Sequence, residues 1–164
     1  RGGCRRRRLK IRKRAREGIR NRPVPVGTGH HQRNIRMLVR DYMTAAPVTI
    51  REDADYGSAF AIMEDQDLHH LPVLDAGEKV VGILARRDLQ LAARFFHEAP
   101  AEVSDVMHAP VVTISPNANL SEAVSRMMND RIGCLPVCED GQTCIGIITE
   151  TDLFRALRDL LAEK

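Results

Sequence analysis

The chain has 164 residues, of which 43% are hydrophobic and 29% are charged, and it contains no Trp. This length suits one domain of ordinary size, or two small ones that share a core. No apolar run approaches the roughly 20 residues that cross a bilayer, and no apolar stretch of secretory length follows the basic N-terminus. We therefore expect a soluble cytoplasmic protein without a membrane partner.

The net charge of +3 hides a strong asymmetry between two segments. Residues 1–36 carry 14 Lys or Arg and one acid, whereas the remaining chain carries 11 basic and 21 acidic residues. The basic segment has too few apolar residues to form a core, so we expect disorder there. Two interpretations stay open: an arm that binds phosphates of nucleic acid or anionic lipid, or an extension without function upstream of Met37.

The four cysteines are Cys4, Cys134, Cys138 and Cys144. None forms a C-x-x-C pair, and His108, the nearest histidine to the last three, is distant along the chain. Zinc sites in proteins use closely spaced Cys and His ligands. We therefore predict no metal site, and expect buried free thiols.

Apolar spacing and turn residues predict the same order of elements twice. In the first half we expect a strand at residues 48–50, a helix at 56–65, strands at 71–74 and 80–84, and a helix at 87–96. In the second half, the equivalent segments are 112–114, 120–129, 135–138, 144–148 and 151–163. Residues 139–141, Glu-Asp-Gly, favour a tight turn and hence an antiparallel hairpin.

This duplication is an internal repeat with a period of 64 residues. Between positions 41 and 92, the chain is identical to itself 64 residues later at 18 of 52 positions, with no gap. We therefore predict an α/β fold with repeats at residues 37–98 and 99–164. Each is β-α-β-β-α, and the pseudo-twofold pair packs through its sheets, because one copy alone would bury too little surface.

Three motifs recur in both copies: a Met followed five residues later by Val, a Leu-Pro-Val strand, and a Gly-hydrophobic turn that leads to Asp. In combination they resemble the tandem cystathionine beta-synthase (CBS) domain pair, or Bateman module, over residues 38–160. The resemblance implies clefts between the repeats that hold adenosine nucleotides (AMP, ADP or ATP) or S-adenosylmethionine. Mg²⁺ is a candidate companion of the phosphates, and no catalytic cofactor is expected. The resemblance also implies a flat dimer.

The terminal motif of the second copy runs from Gly146 to Asp152, where a strand ends and a helix begins. Backbone N–H groups and the helix dipole favour an anion at such a junction. Thr149 offers a hydroxyl to a phosphate, and Asp152 offers a carboxylate to ribose hydroxyls. The alternative is structural: Thr149 caps the helix, and Asp152 is a first-turn acid.

The first copy differs at this junction, because Ala85 replaces the threonine while Asp88 remains. The two clefts should therefore not be equivalent. Arg86 and Arg87 could bind phosphate in place of the hydroxyl, although they could equally be solvated charges at a helix start. The second-copy cleft, with both hydroxyl and carboxylate, is expected to bind more tightly.

In the family each cleft takes its Thr and Asp from one repeat and its adenine-facing wall from the other. The resemblance thus implies two sets of ligand-binding residues. The first set is Thr149, Asp152 and Ile147, facing Thr44, Val48, His69 and His70. The second set is Asp88, Ile83, Arg86 and Arg87, facing Val112, Ile132 and Gly133.

These features favour a regulatory binding module that senses adenylates and signals to a protein partner. No nucleophile and base, or paired acid and base, can be assembled in one site, so we do not expect an enzyme. We expect a homodimer formed by the helices at 56–65 and 120–129, whose apolar surface exceeds what a small monomer exposes. Two alternatives remain: a ligand-free dimerisation pair, and a nucleic-acid-binding protein acting through the arm.

Overall fold

The computed structural model describes residues 36–92 and 101–162. The predictions for the basic segment fall almost wholly outside the described residues, as does the end of the helix expected at 87–96. Two short 3₁₀ turns are present, Val39–Asp41 and Val103–Asp105. The strands and helices of the first half are β1 (Thr44–Ala45), β2 (Ile50–Arg51), α1 (Tyr56–Asp65), β3 (His70–Leu74), β4 (Val80–Ala85) and α2 (Arg86–Ala92). Those of the second half are α3 (Leu120–Asp130), β5 (Cys134–Cys138), β6 (Cys144–Thr149) and α4 (Glu150–Ala162).

The predicted α/β class is confirmed, and each half contains an antiparallel hairpin, β3–β4 or β5–β6. Side chains of the turns explain both hairpins. Asp75 Oδ1 accepts hydrogen bonds from the backbone N–H groups of Gly77 (2.8 Å) and Lys79 (2.9 Å). In the second hairpin the acceptor lies one position later in the turn: Asp140 Oδ1 accepts bonds from the backbone N–H groups of Gln142 (3.0 Å) and Thr143 (2.7 Å).

The first strand of each half is shorter than predicted. In the first half β2 begins only at Ile50, and it pairs in parallel with β3. In the second half Ile114 makes a single parallel bridge to Val137, with no strand over residues 112–114. The β-branched runs at 48–50 and 112–114 resemble strands locally, but only their last residues reach a partner.

The two repeats exchange segments. Strand β1 of the first half pairs antiparallel with β6 of the second, with Thr44 opposite Ile147. Reciprocally, His108 of the second half bridges Ile83 in β4. Two sheets result, with strand orders β2-β3-β4 and β1-β6-β5.

The hydrophobic cores are exchanged in the same way. Val39 is fully buried in the core of the second repeat, and Val103 is fully buried in the core of the first. Backbone bonds hold both in place: Val39 N–H donates to Ala118 O (3.0 Å), and Val103 N–H donates to Ala54 O (2.9 Å). The exchange obeys the 64-residue shift, so it belongs to the pseudo-twofold design of the fold.

The exposed apolar surface lies mainly on α3 and α4. Helix α1 buries Ala59 and Met63 and keeps its larger apolar side chains partly covered. Besides Leu91 on α2 and Val112, the exposed large apolar side chains are on α3 and α4: Val124, Met128, Phe154, Leu157, Leu160 and Leu161. Helix α1 thus exposes less apolar surface than α3, and the expected dimer through these two helices stays a prediction.

Candidate functional site

The two strand-to-helix junctions of the repeats are built alike. At the first, α2 begins directly after β4, and Arg86 N–H donates to His69 O (2.9 Å). At the second, α4 begins directly after β6, and Glu150 N–H donates to Gly133 O (3.0 Å). Each junction is therefore fixed to the residue that directly precedes the neighbouring strand, β3 or β5.

The carboxylate of Asp152 is fully engaged within its own repeat. Its Oδ2 accepts hydrogen bonds from the N–H (2.9 Å) and hydroxyl (2.8 Å) of Thr149, and its Oδ1 accepts one from Arg155 (2.8 Å). The Asp152 residue is only 3% exposed. This geometry matches the structural alternative, in which the two residues cap α4.

Asp88, at the equivalent place in the first repeat, has a different environment. No threonine is available, because position 85 is Ala. Within the described part of the chain, the buried Oδ2 of Asp88 has no hydrogen-bond partner. His108 Nε2 lies 3.2 Å from it but is not oriented to donate, and the His108 side chain is 64% exposed. A buried carboxylate oxygen without a donor is costly, so this atom is suited to accept one.

A cleft of about 810 Å³ opens beside this pair, between the two repeats. Its apolar walls include Ile83, Val112 and Ile132, with Gly133 beside them. Its cationic lining consists of Arg86, Arg87 and Arg131, and its imidazoles are those of His69, His70 and His108. The acids at its edge are Asp130 and Glu150. The cleft thus combines an apolar slot with groups that attract anions.

The three arginines are not equally available to a ligand. Arg86 forms ion pairs with Glu64 and Asp67 of the first repeat. Arg87 is 79% exposed, and its Nε lies 3.6 Å from Asp88 Oδ1. Arg131 is exposed and has no ion-pair partner among residues 36–92 and 101–162. Arg131 therefore carries no ion pair, and Arg87 has only the long contact with Asp88.

His70 has the most perturbed environment of the histidines that line the cleft. Burial lowers its pKa below the ordinary value of 6.5, and the charges of His69 and Arg87 lower it further. Asp88 and Glu150 act in the opposite direction but do not outweigh burial. We therefore expect a neutral His70 ring near neutral pH, able to accept one hydrogen bond and donate another.

The structure brings together most of the residues expected around Asp88: Ile83, Arg86, Arg87, Val112, Ile132 and Gly133. It also places His69 and His70 in this cleft, although both were expected opposite Thr149 and Asp152. The reason is local, since β3 begins at His70 and pairs with Ala85 next to Arg86. The binding roles of these residues stay predictions.

Asp88 itself and the remaining expected residues are not among those that line this cleft. Thr44 and Ile147 are cross-strand neighbours in β1 and β6, while Val48 packs against the core of the first repeat. Sequence reasoning missed His108 and Arg131. The 64-residue shift held a signal for His108, because it aligns with Thr44, a residue already assigned to a cleft wall.

Residues 39–94 and 103–159 each match the family model of the CBS domain. The chain belongs to the CBS domain family. The two matches coincide with the two repeats, so the molecule is a tandem CBS domain pair, as the sequence motifs predicted.

A curated relative of this CBS pair is the inosine-5'-monophosphate dehydrogenase of Methanocaldococcus jannaschii, 31% identical over 119 residues. The match covers 73% of this chain but only 22% of the dehydrogenase. The chain thus spans less than a quarter of that enzyme.

Two solved structures are similar across nearly their whole length. One is described as an acetoin utilization protein from Vibrio cholerae: 35% identity, TM-score 0.70, covering 78% of this chain and 96% of that one. The other is the CBS domain pair of protein MJ0100 in complex with 5'-methylthioadenosine and S-adenosyl-L-methionine. It shows 25% identity and a TM-score of 0.67, covering 74% and 99%.

Residues 36–92 and 101–162 contain neither a membrane-spanning helix nor a metal-binding cluster. No helix there is long and apolar enough to cross a bilayer. Within the same ranges, no group of three or more His, Cys, Asp and Glu side chains is arranged to hold a metal ion.

Proposed function

We propose that this CBS pair is a regulatory module that binds an adenosine nucleotide in the cleft beside Asp88. One observation carries the proposal: His108, which lines an open cleft between the repeats, lies 3.2 Å from a buried carboxylate oxygen of Asp88 that lacks a hydrogen-bond donor. Ribose hydroxyls are donors of the required kind. The module itself carries out no reaction.

The cleft offers a separate group for each part of such a ligand. Asp88 accepts a ribose hydroxyl once the exposed His108 ring swings away from it. Ile83, Val112 and Ile132 provide the apolar slot for the adenine ring. Arg87 and Arg131 remain for the phosphates, as permanently charged fork-shaped donors.

The geometry favours this cleft over the one at Thr149 and Asp152, the reverse of the order expected from sequence. An Asp152 that already accepts three hydrogen bonds must give up some of them to receive a ribose. Asp88 Oδ2 has none to lose. The complex of MJ0100 with two adenosine derivatives supports the ligand class, and makes S-adenosylmethionine a candidate beside the nucleotides.

The signal passes to a partner by way of the helices. The exposed apolar residues of α3 and α4 form the surface on which a second copy docks, and a regulated protein partner responds to the occupied cleft. A ligand-free dimerisation pair is the second candidate function, and the same exposed surface favours it.

Calorimetric titration of the full chain with AMP, ADP, ATP and S-adenosylmethionine tests the ligand. We expect saturable binding of at least one of them, competed by adenosine, which shares the ribose and adenine. Binding should occur at one tight site per chain. Absence of binding to all four, by a chain that unfolds cooperatively, would leave the dimerisation pair as the function.

A further inference from the structure

Two cysteines face each other across the second hairpin. Cys138 ends β5 and Cys144 begins β6, and their Cα atoms are register partners. Partners in antiparallel strands have Cα atoms roughly 4.5–5.5 Å apart, and disulfides need about 4.4–6.8 Å. Both side chains pack in one cluster with Leu74 and Val80, so they lie on the same side of the hairpin.

The first repeat shows that packing does not require these thiols. At the equivalent positions, 64 residues earlier, it has Leu74 and Val80, which are also register partners. The same fold position is thus filled by an ordinary apolar pair in one repeat and by two thiols in the other. What the second pair adds is sulfur chemistry.

The two sulfurs have unequal environments. Cys138 is 1% exposed, whereas Cys144 is partly exposed beside the exposed turn. The interaction between the two thiols lowers the pKa of Cys144 and raises that of Cys138, which burial raises further; Cys144 Sγ also lies 3.4 Å from Gly146 O. The thiolate therefore forms at Cys144, on the side that a small oxidant can reach.

We propose that Cys138 and Cys144 are an oxidation site that forms a reversible intramolecular disulfide on reaction with a peroxide. The Cys144 thiolate attacks one peroxide oxygen, the O–O bond breaks, and Cys144 becomes a sulfenic acid as the first water leaves. The Cys138 sulfur then attacks the Cys144 sulfur and displaces the second water. Two thiols lose two electrons and two protons, and hydrogen peroxide is reduced to two waters; a dithiol reverses the step by exchange.

The site lies where the two repeats touch. Val80 N–H donates to Gln142 O (2.9 Å), and Lys79 bridges to Thr143 across the same contact. Under the 64-residue shift Lys79 is equivalent to Thr143, so this bridge lies on the pseudo-twofold axis. The disulfide would close the hairpin at this axis, and it is independent of any ligand in the cleft.

The experiment uses the full chain with Cys4→Ser, which leaves three thiols. The folded protein is treated with hydrogen peroxide, denatured, alkylated, and cut after Glu139, between the two cysteines. We expect the fragments that carry Cys138 and Cys144 to remain joined, and dithiothreitol to separate them. Cys134 should escape oxidation in the folded protein, because burial raises its pKa to about 12, and it should therefore be alkylated after denaturation. Separate fragments with all three thiols alkylated, or a link through Cys134, would overturn the proposal.

Two variants copied from the first repeat test the role of each sulfur, and both should fold. In Cys138→Leu, Cys144 has no resolving partner, so its sulfenic acid should be trapped by dimedone. In Cys144→Val, the buried Cys138 should give no adduct. An adduct at Cys138 and none at Cys144 would contradict the mechanism.

Discussion

Asp88 and Asp152 occupy the same position in their repeats, yet they have different partners. The cause is one residue three positions earlier: the Thr149 hydroxyl binds its aspartate, and Ala85 offers nothing. From the sequence, the inequality of the two clefts could be predicted. Which cleft binds more tightly could not be predicted, because the answer depends on whether the Thr149 hydroxyl faces the ligand or the Asp152 carboxylate.

Alanine substitutions at the two aspartates should therefore affect different properties. Asp152→Ala leaves the Thr149 N–H and hydroxyl without their acceptor, and should lower the free energy of unfolding by about 1–3 kcal/mol. Asp88→Ala removes an oxygen that has no hydrogen-bond donor, together with ion-pair contacts to the exposed Arg87 and His108, so stability should change less than in Asp152→Ala. Its nucleotide affinity should fall roughly tenfold or more, the value of a hydrogen bond to a charged group.

Urea unfolding and calorimetric titration of both variants provide the measurements. Tight binding that survives Asp88→Ala but disappears in a folded Asp152→Ala would restore the order expected from sequence.

His70 should make stability depend on pH in one direction. Its pKa is lowered in the folded state, chiefly by burial, from an ordinary value of 6.5. Below that value the unfolded chain binds the proton more readily, so stability falls as the pH drops below about 6.5 and is unaffected well above it.

Urea unfolding between about pH 8 and pH 5.5 should show this loss, reduced in His70→Gln. His69→Gln, at the exposed neighbouring position, should remove only the part of the His70 pKa shift that the His69 charge causes. An unchanged pH profile in His70→Gln would show that another group titrates.

At the scale of elements, local patterns predicted the four helices and both hairpins, because the spacing of apolar residues and the turn residues are features of neighbouring positions. They did not predict that β1 pairs with β6. Thr44 and Ile147 are separated by about a hundred residues, and no local pattern specifies a partner at that distance. The exchanged strands also decide which residues meet at the clefts, so local patterns could not assign His69 and His70 to one cleft or the other.

The exchanged segments rest on two glycines. A Cβ on Gly146 would clash with the Met43 side chain and lie 3.2 Å from Thr44 O; Gly82 has the same relation to Met107 and His108 O. Gly146→Ala should therefore destabilise the fold by about 1–3 kcal/mol through overpacking. Gly133→Ala is the control, since its Cβ would meet its nearest neighbours at 3.8 Å. Equal melting temperatures for the two variants would contradict this contact.

At the scale of the whole molecule, the exposed apolar face of α4 is expected to be buried against another protein surface. Phe154, Leu157 and Leu161 lie on one face at a spacing of three and four residues, and are 67%, 50% and 62% exposed. A second copy is the cover we expect.

Phe154→Asp should convert a dimer into a monomer, measured by light scattering after gel filtration. The matched control is Gln90→Asp, at the equivalent exposed position of α2, which should leave the mass unchanged. A monomeric mass for the unaltered chain at micromolar concentration would refute the expectation.

The crossing of Val39 into the second core and of Val103 into the first entangles the two halves. Either half alone would lack one buried valine of its own core and would expose the valine that belongs to the core of the other half. Residues 1–98 and 99–164, made separately, should therefore fold poorly alone and regain one cooperative melt on mixing; two independent melts would contradict this. The two repeats thus exchange segments as the subunits of a domain-swapped dimer do, but here they are covalently joined in one chain.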